Sequence, residues 1–355
     1  MKIDNFIPPF SSGKNTSYVD ALSSKLQEYI LFVKGMNSVD SYVVRKIEHL
    51  SNLILSAVSD IKEANSQNAY SRICKFISDE KDSIELPTYT IKAKKLLIRL
   101  RYSESELKYR EDIFHIPKSL RHKVAQQRYS IPGVPCLYLS GCAFTAWLEL
   151  NKPNFSNLWC AGFRTVQDIK VLDLATRLDA IVNEDDNMGK LIFYPFVIAT
   201  SYATKYPQSP FKEEYIISNI LLQAIINISD LKGIRYFSTK VSNYKSEYIG
   251  MASNIVLPAV SLQSEYDREL ATSFILTYPQ PCSVLMHSPN AGDVVAFGRF
   301  TDDENTETRS KDRVSHVETI IYEWYGATQF YNIDGHIQNL SYDHIEEREA
   351  PIFFK

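Results

Sequence analysis

Several places in the 355-residue sequence set reactive side chains at spacings that chemistry can use. Cys142 follows the run LYLS and Gly141, and opens the helix-like segment CAFTAWLEL (142–150). A strand–turn–helix corner can present a nucleophile, and a helix N-terminus lowers a thiol pKa. His115 and His122 are then the candidate bases. The competing reading, a small buried cysteine, is preferred because free cysteine is among the most buried residue types. SSGKNTS (11–17) ends like a phosphate-binding loop, but the first glycine of that motif falls on Pro8. Without it the backbone cannot wrap a phosphate, and a polar loop is expected. Arg45 and His49, at i and i+4, read as a solvent-facing pair beside an apolar stripe. The seven histidines are scattered with no HExxH or paired Cys/His spacing, so no metal site is expected.

Between residues 91 and 128, eleven Lys and Arg stand against four acids, an excess of +7. Solvated surface is the first reading of such a stretch. The functional readings are a phosphate-bearing small ligand or nucleic acid. Nucleic acid is disfavoured, because no RRM, KH or zinc-finger pattern accompanies the charge.

The elements that must position such residues follow from periodicity. Val19, Leu22, Leu26, Ile30 and Val33 fall on one helical face, with Gly35 as a stop. Val43, Ile47, Leu50, Ile54, Val58 and Ile61 do the same in the next segment, and a shorter helix is expected over Tyr70 to Ser78. EKDSIELPTYT (80–90) carries charges and Pro87 and marks a boundary. Beyond it KLLIRLRY (95–102) alternates as a strand, and VPCLYLSG (134–141) sets Leu137 and Leu139 opposite Cys136, Tyr138 and Ser140. LWCAGFR (158–164), IKVLDL (169–174) and GIRYFS (233–238) read as further strands, and Ile216 to Ile228 as a helix. The last ~90 residues look β-rich, with TSFILTY (272–278) and ETIIYEWYG (318–326) around the acidic run DDENTET (302–308). The expected fold class is α/β, in the α+β sense: a helical module over 1–88, a mixed core over 89–262 and a β-rich extension over 263–355.

Composition bounds the remaining classes. The apolar share of 45% and charged share of 23% are ordinary for a folded protein, and a formal charge of −3 names no partner. Twelve glycines are about half the usual share, which argues against repeated glycine-rich cradles and flexible linkers. Five cysteines without a CxxC pair suit free thiols in a reducing compartment. The first 20 residues have no apolar signal core, and the apolar stretch around 191–203 is broken by Pro195 and is too short to span a bilayer. The cytoplasm is the expected location, with no membrane contact.

Four segments in order carry a resemblance. LIRLRY, QRYSIPGVPCLYLSG, AWLEL and LKGIRYFS are similar to the RES domain, named for an Arg, a Glu and a Ser. The family pattern has an Arg in the first core strand and an Arg before a short Gly/Pro loop. A strand reading LYLS, a Glu in the following helix and a segment Gly-x-x-Tyr-x-Ser complete it. By position these are Arg99, Arg128, Tyr138, Glu149 and Ser238. Two departures stand out: Arg128 is followed by Tyr-Ser where many members have Phe/Trp-Asn, and the first strand offers both Arg99 and Arg101. The resemblance spans about 95–258 and leaves both flanks uncovered.

The resemblance implies an ADP-ribosyltransferase-like fold and a toxin or phage-defence effector that consumes NAD+, by phosphorolysis or hydrolysis, with a small helix-turn-helix antitoxin or an activating protein as partner. Cleaving nicotinamide from ribose builds positive charge on the sugar, and a carboxylate there can hold a hydroxyl and stabilise it. That role falls to Glu149. Arg128, with Arg99 or Arg101, would take the pyrophosphate and any incoming inorganic phosphate, because a guanidinium matches phosphate oxygens bidentately. Tyr138 would meet the nicotinamide ribose, and Ser238 would donate a hydrogen bond to the ligand. NAD+ is here a substrate, so the absence of Rossmann glycines is no obstacle. The alternatives are ADP-ribose transfer to a protein or nucleic acid, and a non-catalytic assembly module with a degenerate pocket; a homo-oligomer is compatible with any of these.

Overall fold

The computed structural model describes residues 2–80, 86–182, 188–228, 230–241, 245–261, 264–286 and 325–346. The periodic N-terminal segments form helices α1 (Tyr18–Lys34), α2 (Ser41–Lys62) and α3 (Ser66–Glu80). Ser17 and Asp40 cap α1 and α2, their side chains accepting the Asp20 and Val43 amide protons, and the Gly35 N–H closes the last turn of α1. The apolar stripes point inward, with Leu22, Leu26, Val43, Ile47, Leu50, Ile54 and Val58 all buried.

A short α4 (Ala143–Glu149) follows β3, and α5 (Leu178–Ile181), α6 (Met188–Thr200) and α7 (Ile216–Ile226) follow in the middle of the chain. α6 is buried along nearly its whole length, which explains the apolar run around 191–203 as a core helix. α1, α2, α3, α6 and α7 share one continuous buried cluster with the sheet residues Leu172, Ile234, Tyr236 and Val256. No helix among the described residues is long and apolar enough to cross a membrane.

The described strands form one sheet. They are β1 (Thr88–Ile91), β2 (Leu96–Tyr102), β3 (Cys136–Ser140), β4 (Leu158–Thr165), β5 (Ile169–Leu174), β6 (Ile234–Phe237), β7 (Ser253–Pro258), β8 (Phe274–Leu276) and β9 (Gln280–Pro281). Their order is β1-β5-β6-β7-β3-β2-β4-β8, with β9 added to β4. The β5–β6 pair is parallel and the others are antiparallel. A parallel neighbour needs a long crossover, and α5, α6 and α7 supply it. The architecture is mixed α/β, as the alternation of sequence patterns indicates.

Some elements differ from the sequence expectation. Residues 88–90, the end of the expected boundary segment, pair with β5 as part of strand β1. The described part of the C-terminal region carries helices beside its strands. Around β8 and β9 it contributes α9 (Arg268–Ser273), the one-turn α10 (Cys282–Leu285) and a helix α11 (Gln329–Gln338). The α11 stripe Phe330, Ile333 and Ile337 is buried against α4 and β4. The acidic run 302–308 and most of 318–326 lie outside the described residues.

Gly141 joins β3 to α4, beside the one-turn helix α8 (Ile249–Ala252). A Cβ there would lie 1.8 Å from the carbonyl oxygen of Gly250. That oxygen is backbone, so the turn itself has to move. Gly141→Ala should therefore lower the unfolding free energy by about 1–3 kcal/mol, the usual cost of overpacking. A urea midpoint equal to that of the wild type would contradict the close approach.

Candidate active site

Strand register assembles a polar row. Tyr236 pairs with Asn254 across β6–β7, and Asn254 with Ser140 across β7–β3. Directly opposed residues of antiparallel strands share a face, with Cα atoms about 4.5–5.5 Å apart. The adjacent row on the same face holds Ile234, Val256 and Tyr138. Ser140 Oγ donates to Asn254 Oδ1 at 2.6 Å, and Asn254 Nδ2 donates to Glu149 Oε1 at 2.8 Å. Glu149, the last residue of α4, thus comes down half-buried onto this row.

Arg128 approaches from the loop before β3. Its guanidinium donates to the Thr200 carbonyl at 2.8 Å, the Tyr202 carbonyl at 2.8 Å and Thr239 Oγ1 at 3.1 Å, and lies 4.9 Å over the Tyr215 ring. The Tyr138 hydroxyl donates to the backbone carbonyl of Tyr129. The Tyr129 ring packs against Tyr236 with centroids 4.5 Å apart. Burial pushes the Tyr236 phenol well above the ordinary tyrosine range, the Glu149 carboxylate pushes it further, and Arg128 opposes both. Tyr236 is therefore a neutral hydroxyl between a carboxylate and a guanidinium. Burial likewise keeps the Tyr138 phenol protonated.

Of the residues singled out in the sequence, the structure brings Arg128, Tyr138 and Glu149 to this neighbourhood. Arg99 and Arg101 lie elsewhere. Ile98 pairs with Ser140, so its neighbour Arg99 projects from the opposite sheet face, as does Arg101. β2 and β3 share only that one pair, and where they splay Arg99 Nη1 donates to the Tyr138 carbonyl at 2.8 Å. Arg99 Nε is buried without a partner among the described residues, and burial with the nearby Arg101 charge lowers the Arg99 pKa to about 10. Arg101 is exposed and donates to the Asp112 carbonyl. Ser238 is fully buried at the end of β6, where its Oγ accepts the Lys240 N–H at 3.2 Å. Sequence reasoning missed Tyr129, Tyr236 and Asn254. The Tyr of the Gly-x-x-Tyr-x-Ser segment is the one signal that pointed to any of them.

The other candidates resolve as structure. Cys142 is buried and its thiol is pushed up to about 12, by burial first and by the Asp334 carboxylate next. Its setting disfavours the thiolate that a nucleophile needs. His115 is occupied on both ring nitrogens, by the Ile116 carbonyl at 2.8 Å and the Asp267 N–H at 2.9 Å. His122, Arg45 and His49 are exposed. Among the described residues no three His, Cys, Asp or Glu side chains gather to hold a metal ion.

α4 has only seven residues, and Cys142 at its N-cap makes no side-chain capping bond. The cap comes instead from α11, where Asp334 Oδ1 accepts the Ala143 N–H at 3.0 Å while Oδ2 accepts the Tyr325 hydroxyl at 2.6 Å. Phe330 of the same helix packs on Phe144 and Trp147 at 5.1 and 5.3 Å.

Two concavities lie at the far end of the sheet. One of about 130 Å³ is lined by Ile169, Ile226, Leu231, Pro258 and Leu270, and an open groove of about 630 Å³ by Lys118, Arg121, Ala259 and Val260. Pro258 ends β7, whereas Asn254 lies near its start, so both are remote from Glu149.

Among known proteins, the chain is similar to "Putative toxin YopC" of Bacillus subtilis (strain 168), with 28% identity over 271 residues. The alignment covers 70% of this chain and 60% of that protein, so the chain spans less than two thirds of the relative's length. No protein-family model and no solved structure matches. The RES resemblance therefore rests on the segments quoted above.

Burial pushes the Asp334 carboxyl up to about 6, against 3.8 for a free side chain. The unfolded chain then releases this proton first as pH rises. Asp334 favours folding fully below about pH 4, and that contribution is lost as pH rises to about 6. Asp334→Asn keeps an acceptor for Ala143 but cannot ionise. The stability of the wild type minus that of Asp334→Asn should fall between about pH 4 and 6 in urea titrations, and a flat difference would contradict the buried setting.

Proposed function

We propose that this chain is a toxin that destroys NAD+, with Glu149 as its catalytic carboxylate. The observation that carries the reading is the seating of Glu149. The residue at the RES glutamate position is held by Asn254 over the sheet, next to Tyr236 and within the field of Arg128. The toxin name of the Bacillus relative supports the same class of action.

In this reading NAD+ lies with its nicotinamide ribose at Glu149. The bond from ribose C1 to the nicotinamide nitrogen breaks, and its electron pair leaves with neutral nicotinamide. Glu149 holds a ribose hydroxyl and stabilises the positive charge left on the sugar. Phosphate or water then attacks C1, giving ADP-ribose phosphate or ADP-ribose, and one proton goes to solvent. Arg128 has five N–H donors and three bonds to protein, so it can still offer N–H groups to the pyrophosphate. Tyr138 offers its half-buried ring to the ribose. Arg99 at the β2–β3 fork is nearer to Tyr138 than Arg101 is, and Ser238 serves mainly to end β6. The core carrying this chemistry is 89–262, flanked by 1–88 and 263–355, and the setting is the cytoplasm with an antitoxin as partner.

A second reading is favoured by two observations. Arg128 is tied to two backbone carbonyls, and the two concavities at the far end of the sheet lie away from Glu149. Both features suit a non-catalytic module with a closed pocket.

Purified protein incubated with NAD+, with and without inorganic phosphate, separates the readings by product mass. The enzyme reading expects free nicotinamide, together with ADP-ribose phosphate when phosphate is the acceptor and ADP-ribose when water is. Intact NAD+ in every condition would favour the module. Arg128→Ala should weaken NAD+ binding about tenfold or more, since a hydrogen bond to a charged group contributes roughly 1.5–3 kcal/mol. Unchanged affinity by calorimetry, in a variant shown to be folded by its melting curve, would remove Arg128 from the site.

A further inference from the structure

We infer that Asn254 is the positioning residue for Glu149, and that Ser140 sets the orientation of its amide. An ionised carboxylate only accepts hydrogen bonds, so the Asn254 atom 2.8 Å from Glu149 Oε1 has to be the amide nitrogen. The amide oxygen then faces Ser140 at 2.6 Å, and Ser140 has to donate. The direction of every proton along Ser140, Asn254 and Glu149 is thereby set by chemistry.

The chain of bonds is well placed to hold a fixed geometry. Asn254 is 2% exposed and Ser140 is 6% exposed, so water does not compete for either contact. Both residues sit on paired strands, and their register brings them directly opposite each other. The Glu149 carboxylate makes no other hydrogen bond among the described residues, so Oε1 is taken and Oε2 is left for a ligand. One oxygen is anchored and the other is aimed, which is what a carboxylate must do to meet a ribose hydroxyl in one orientation.

The catalytic half of this inference rests on the reading of Glu149 given above, but the geometry is testable without it. Asn254→Asp replaces the donor with a second carboxylate facing Glu149, and Ser140→Ala removes only the hydroxyl that orients the amide. The carboxyl signal of Glu149, labelled with carbon-13 and assigned by its loss in Glu149→Gln, should titrate at higher pH in both variants. The displacement should be about one pH unit in Asn254→Asp and smaller in Ser140→Ala. With NAD+ as substrate, the acid limb of kcat should move up with it, while KM changes less than threefold. A Glu149 titration unmoved in folded Ser140→Ala and Asn254→Asp would overturn the inference. If Asn254→Asp does not fold, the Ser140→Ala titration alone decides. A wild type without NAD+ turnover would refute the proposed reaction and leave this titration still decisive.

Discussion

The register of β3 against β7 is the constraint on which the site depends. Five consecutive pairs, from Cys136↔Pro258 to Ser140↔Asn254, decide that Tyr138 and Ser140 share a face with Asn254 and Tyr236. A slip of one residue would send Tyr138 and Ser140 to the other side and bring Leu137 and Leu139 into their place. The slip is opposed by burial on both faces. Leu137, Leu139, Ile255 and Leu257 belong to one apolar cluster, while Cys136 and Val256 belong to the cluster under the helices. Hydrophobic alternation thus holds a set of polar groups in place that would not by themselves choose a register.

Glu149 is governed from two directions. Asn254 anchors its carboxylate, while the helix that carries it is too short to stand alone and is capped and packed by α11 from the C-terminal region. The C-terminal region is therefore part of the scaffold of the site. Arg128 shows the opposite balance. Its bonds to the Thr200 and Tyr202 carbonyls tie the end of α6 to the loop before β3, so the guanidinium braces the scaffold as well as facing Tyr236.

Much of this was legible in the sequence, for physical reasons. The stripes of α1 and α2, with Ser17, Asp40 and Gly35 at their ends, contain both the period and the stops. The alternation of β2 and β3 showed which residues share a face within each strand, and the position of Glu149 after LYLS was recognisable from order and spacing. Pairings between distant strands were not legible. Nothing local to Asn254 says that it lies opposite Ser140, more than a hundred residues away, and nothing in the Arg99 segment says that β2 and β3 would splay after a single pair. α6 was hidden by its uniform apolarity, since a helix buried all round has no stripe. α11 follows segments that read as strands and has a stripe of only Phe330, Ile333 and Ile337, which is buried against α4 and β4.

The most direct test of the central claim, that Glu149 is the catalytic carboxylate of an NAD+-consuming site, is to compare NAD+ turnover and NAD+ binding in the wild type and Glu149→Gln. Turnover should be abolished in Glu149→Gln while the melting curve and the dissociation constant for NAD+ stay close to those of the wild type. Full turnover in Glu149→Gln would contradict that claim.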